Sequence, residues 1–171
     1  MSLVAELQDR YTSARVAYIE LIGRIMNGET LAVKQAEKVI DAAGKSVEEF
    51  TLELKQKLEY RRNVASEDVR LCQGRINDRQ RLFHDIAAVE NQVESLRKGL
   101  LPIGTPLFWS GLPVTQGTQA GDVASGERFL ASLKERAKLP QYDESSANES
   151  LKAANEKLAS VESIYANNLG E

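Results

Sequence analysis

The chain has 171 residues, 42% hydrophobic and 27% charged, a composition that argues against disorder, and its low aromatic and proline content leans toward helix. Its 22 basic and 25 acidic residues leave a net charge of −3, so no general field draws it to nucleic acid or an anionic membrane. One cysteine, Cys72, excludes an intramolecular disulfide or a multi-cysteine zinc site and fits a reducing, cytoplasmic setting, and no apolar run or leader-like segment predicts membrane insertion or secretion.

From Leu7 the sequence places Tyr11, Ala14, Tyr18, Leu21 and Ile25 at alternating steps of four and three, which predicts a helix over 1–26 with one apolar stripe. Ile19, Ile22 and Met26 widen it, as suits a helix packed on two neighbours. Asn27 and Gly28 supply the stop. A second series, Val33, Ala36, Ile40, Ala43, Val47, Phe50 and Leu54, would be one helix if read alone. Gly44 and the Ser-x-x-Glu capping box of Ser46 and Glu49 predict a break inside it, giving a helix over 30–43 and a new start at 47.

The next helix is expected over 47–62, with Ser66 as N-cap of its successor over 66–98 and Glu67 and Asp68 at the positive end of that helix. The series Leu82, Ile86, Val89, Val93, Leu96 and Leu100 is out of phase with the preceding one, which calls for a stutter or a turn between them. A turn is the reading adopted, since two helices of a hairpin bury each other's stripes whereas one unbroken helix would need a partner chain.

Residues 99–123 form an apolar connector. Its stretch from Gly99 to Gly121 contains no Asp, Glu, Lys or Arg, yet holds three of the four prolines, five of the eleven glycines and the only Trp. Pro106 to Trp109 and Leu112 to Thr115 flank a Ser-Gly turn, predicting a small hairpin-like excursion in which Pro113 limits regular pairing to an edge. Helices over 124–138 and 145–168 follow, the first carrying Phe129, Leu130 and Leu133 inward and stopped by Leu139-Pro140, the second capped by Ser145 or Ser146. The expectation is an all-α fold: a single domain over 1–171, an elongated antiparallel bundle built on the 47–62 and 66–98 hairpin.

The chemistry-bearing residues give no catalytic set, and neither a metal nor a cofactor is expected. Ala43-Gly44-Lys45-Ser46 matches the end of a phosphate-binding loop, but the first glycine of that motif is Val39 and a helix precedes it where a strand is needed. His84 is the only histidine and lacks a Glu three residues before it, which removes a di-iron carboxylate site. Cys72 and His84, twelve residues apart in one helical pattern, lie roughly 18 Å apart at about 1.5 Å per residue, too far to pair directly within it. Trp109-Ser110-Gly111 has the Trp-x-Gly form of a family of small secreted helical hairpins. The export signal of that family, Tyr-x-x-x-Asp/Glu, is not met by Tyr142 or Tyr165.

A broader resemblance rests on Val39 to Phe50, with its Ala43-Gly44-Lys45-Ser46 junction, followed by the Arg-rich segment through Arg61-Arg62. These residues resemble uncharacterised bacterial helical and coiled-coil proteins that carry an Ala-Gly-Lys-Ser/Thr helix junction ahead of a long helical hairpin. The resemblance covers the first 100 residues or so and implies a structural junction but no activity.

Two surfaces remain as function candidates. Phe108, Trp109 and Leu112 in the apolar connector are candidate contacts with a protein partner or a second copy, as aromatic anchors on a proline-stiffened loop lose little entropy on binding. Their rings could equally face inward and cover the bundle. Arg61, Arg62, Arg70 and Arg75 would gather at the hairpin tip and could contact a polyanion such as nucleic acid, or else pair with carboxylates across the seam. The function expected first is a non-enzymatic scaffold or protein-interaction module, with polyanion binding as the alternative.

Overall fold

The computed structural model describes residues 2–117 and 120–170. They form α1 (Leu3–Met26), α2 (Val33–Ala42), α3 (Val47–Arg97), α4 (Ala120–Ala137) and α5 (Glu144–Leu169), with a 3-10 turn at Pro140–Tyr142 before α5. The fold is all-α, as the periodicities predict. Met1, Thr118, Gln119 and Glu171, which belong to the expected first helix, to the connector and to the chain end, lie outside the described residues.

The expected hairpin is not formed. α3 runs unbroken for 51 residues through the segment 63–66 where a turn was predicted. No Gly or Pro stands between Ser46 and Gly74 to interrupt it. Ala65, at the predicted tip, is 0% exposed, whereas a loop there would carry its backbone polar groups into the interior. The phase change of the apolar series has another origin: the chain packs as two compact units, where a single one was expected, and each buries its own stripe of α3.

Unit 1 comprises residues 1–69 and 153–171. Its core gathers Tyr18, Leu21, Ile22 and Ile25 of α1, Ile40 of α2, and Leu54 and Leu58 of α3, with Phe50, Ile164, Tyr165 and Leu169 packed against them. Local chemistry sets the turns that assemble it. α2 ends in a Schellman motif: the Lys45 amide donates to the Ile40 carbonyl and the Gly44 amide to the Asp41 carbonyl, with Gly44 at φ +67, a conformation that a Cβ would strain. The Ser46 and Glu49 box then closes as predicted, each side chain accepting from the other's amide at 3.1 and 2.9 Å. Those hydrogen bonds, with Lys45 beside it, hold the Glu49 carboxyl below its usual range. This explains Ala43 to Ser46 as a helix junction.

Unit 2 comprises residues 70–152. Leu82, Ile86, Val89 and Val93 of α3 meet Leu133 of α4 and Tyr142 of the 3-10 turn, with Trp109, Val123, Phe129, Leu130 and Ala137 against them. Arg136 donates to the Tyr142 hydroxyl at 2.7 and 3.0 Å, and Arg79 donates to the Tyr142 carbonyl at 3.1 Å. The cap of α5 is Asp143 in place of Ser145 or Ser146. Asp143 is extended, and its carboxylate accepts from the Ser146 amide at 2.8 Å.

A hydrogen bond from a buried tyrosine ties α1 to α3 inside unit 1. The buried Tyr18 hydroxyl donates to Glu53 Oε2 at 2.9 Å, and its ring stacks edge-on with Phe50. Burial, then the hydrogen bond to Glu53 and the charges of Glu53 and Glu49, push the tyrosine pKa from 10.0 up to about 12. Because the folded-state pKa is raised, the stabilisation is complete below pH 10 and fades as pH rises through 12. Tyr18→Phe should therefore cost about 1 kcal/mol below pH 10, and its difference from wild type should shrink toward pH 12 in denaturant titrations; a difference that stays constant would remove this contact from the account.

Candidate interaction surface

The uncharged segment after α3 folds on itself. α3 stops at Gly99, also in a Schellman motif, and the chain then makes the short hairpin expected around Ser110-Gly111. Leu107 N donates to Leu112 O at 2.8 Å, Gly104 N to Val114 O at 2.8 Å, and Val114 N to Thr105 O at 2.9 Å. Pro106 and Pro113 face each other in an isolated antiparallel bridge, between the Leu107–Leu112 and Thr105–Val114 hydrogen bonds.

α3 holds this hairpin through Gln92. Its Nε2 donates to the Pro106 carbonyl at 2.8 Å and its Oε1 accepts from the Phe108 amide at 2.6 Å. One amide side chain thus satisfies an acceptor and a donor on the same strand. Leu107 and Val114 turn inward and are buried. Trp109 turns inward too: a Cβ placed on Gly126 of α4 would lie 2.8 Å from its ring and 2.8 Å from Val93 Cγ2, so the indole occupies the space that the glycine leaves open. The inward alternative is the one realised for Trp109.

Phe108 and Leu112 do not follow it. Phe108 lies at the rim, 6.5 Å from the Phe129 ring and 48% exposed, and Leu112 is 66% exposed. Ile103, not singled out from the sequence, is exposed as well, at 67%, and so, at 70%, is Leu100, the last member of the apolar series that begins at Leu82. Sequence reasoning also missed Gln92 and Gly126. The available signals were a polar residue beside Val93 on a core stripe, and a glycine inside a helical run where Ala would be the better helix former.

The arginines form no tip. Arg61 donates to the Met26 carbonyl at the end of α1 at 2.6 Å, and the Arg62 guanidinium lies 5.3 Å from the Tyr165 ring centre. Arg70 and Arg75 are exposed, but they belong to unit 2 while Arg61 and Arg62 belong to unit 1. At about 100° per residue Arg61 and Arg62 are about 100° apart within unit 1, and Arg70 and Arg75 about 140° apart within unit 2. His84 is exposed and Cys72 is a partly exposed free thiol. Among the described residues no group of three or more His, Cys, Asp or Glu could hold a metal ion, and no helix is long and apolar enough to cross a membrane. Comparison of the chain with protein-family models, curated proteins and solved structures gives no match.

The Trp109 and Gly126 fit is testable by itself. Trp109→Ala should destabilise by about 2–3 kcal/mol, less than the about 3–5 kcal/mol of a fully buried Trp. Gly126→Ala should also destabilise, by about 1–2 kcal/mol, because overpacking outweighs the helix-propensity gain of about 1 kcal/mol. In a double-mutant cycle measured by urea unfolding, the cost of Gly126→Ala should fall in the Trp109→Ala background. Strict additivity would mean that the two residues do not share this space.

Proposed function

We propose that the chain is a non-enzymatic protein-interaction module, a scaffold or adaptor of a reducing, cytoplasmic setting, that docks a partner or a second copy through the apolar face of the unit 2 hairpin. The observation that carries this reading is the division of labour within the hairpin. Trp109, Leu107 and Val114 anchor it inward and Gln92 clamps its backbone, while Phe108 and Leu112 remain presented to solvent. A preorganised loop with apolar side chains outside loses little entropy when a partner covers it. Exposed apolar groups held by satisfied backbone bonds are the usual material of an interface core.

The arginines give weaker support to polyanion binding. Arg61 and Arg62 are engaged by groups of unit 1, and Arg70 and Arg75 belong to the other unit. The resolved pKa shifts have local structural causes: burial and the Glu53 contact for Tyr18, the capping box for Glu49, and Lys98 and Arg97 for Glu94, whose carboxyl is held down.

A photo-crosslinking residue at position 112, introduced into cells that express the chain naturally, should give a discrete adduct with one partner or with a second copy. Phe108→Asp should abolish that adduct while leaving helicity unchanged, since Phe108 is half exposed. Adducts no different from those of the same cross-linker at exposed Tyr60 would overturn the reading.

A further inference from the structure

The apolar stripe of α1 runs the whole helix but is covered over only half of it. Tyr18, Leu21, Ile22 and Ile25 are 4–6% exposed, whereas Leu3, Val4, Leu7 and Tyr11 on the same stripe are 56–73% exposed. The register of α1 against α3 explains the difference. Tyr18 meets Glu53 and Met26 meets Arg61, both 35 residues apart, so the two helices run parallel with a fixed offset. By that offset Val47, the first residue of α3, is level with Thr12. The first turns of α1 therefore extend past the N-terminus of α3 with their seam uncovered.

The flanks of that seam select what can cover it. With Val4, Leu7, Tyr11 and Ala14 along the seam, the charged side chains bordering it are Arg10 on one side and Arg15 on the other; the Arg15 guanidinium lies 5.9 Å from the Tyr11 ring centre. Glu6 and Asp9 lie farther round the helix, toward the opposite face. A second copy fits poorly. A parallel pair would set Arg10 against Arg15 of the copy, and an antiparallel pair with overlapping seams would bring the two Arg10 side chains together. A helix with carboxylates beside its apolar seam meets both arginines favourably.

We propose that residues 3–15 of α1 dock an amphipathic helix of a partner protein whose apolar seam is flanked by Asp or Glu. The docked helix continues the unit 1 packing beyond the end of α3. An exposed helix segment this short is marginal in water, so it gains order as well as contact area on binding. The site is separate from the hairpin of unit 2 and stands independently of it.

Two synthetic amphipathic helical peptides test this, identical in their Leu/Ile seam but carrying Glu or Lys at the flanking positions. Fluorescence anisotropy with the full chain should show the Glu peptide binding about tenfold more tightly than the Lys peptide. Arg10→Glu combined with Arg15→Glu should reverse that order, and Leu7→Asp should abolish binding of both. These side chains are exposed, so circular dichroism should show the variants folded, and Leu112→Ser should leave the result unchanged. Equal affinity for the two peptides, or no binding of either, would overturn the proposal. So would a concentration-dependent dimer lost in Leu7→Asp, or preferential binding to phosphatidylserine vesicles, because either assigns the seam to another occupant.

Discussion

Both hydrophobic cores depend on the continuity of α3. Leu54 and Leu58 at its start and Leu82, Ile86, Val89 and Val93 farther on are the side chains around which the other elements assemble. A helix gains most of its stability from the packing of its apolar face rather than from propensity. The phase shift between the two stripes would be a fault in a two-stranded coiled coil. Here it lets each stripe face a different set of neighbours: α1, α2 and the second half of α5 in unit 1, α4 and the hairpin in unit 2.

What could be read from the sequence was what is decided locally. The Gly44 stop and the Ser46 and Glu49 box depend on residues within a few positions of one another, and they formed as read. The Ser-Gly hairpin is equally local, because its bonds join residues within ten positions of one another around the turn. The fate of residues 63–66 is not local. Ser66 is a competent cap, and it is the complete burial of Ala65, which its sequence neighbours do not announce, that goes with continuation. The direction of Trp109 is of the same kind, since it requires an opening at Gly126 on another helix. The α5 cap was missed by two or three positions because Asp143, Ser145 and Ser146 can all cap, and the preceding 3-10 turn determines which of them is extended.

The candidate surfaces were half legible for a related reason. Composition marked the segment around Trp109 as exceptional, and that segment does carry exposed apolar side chains, but which ones face out follows from the alternation that Gln92 and the two prolines impose. The uncovered part of α1 left no trace in periodicity, because its stripe is as regular outside the core as inside it. Only the offset against α3 shows where cover ends.

The placement of the single tryptophan has an optical consequence. Trp109 belongs to unit 2, and its indole packs beside Val93 and Gly126, so intrinsic fluorescence excited at the red edge reports that core and no other. Tyrosine absorbance follows both cores, through the buried, hydrogen-bonded Tyr18 of unit 1 and Tyr142 of unit 2. The chain thus carries one optical signal for the unit 2 core alone and another common to both cores. The gap between their melting midpoints measures how much cooperativity a continuous backbone transmits between two hydrophobic clusters.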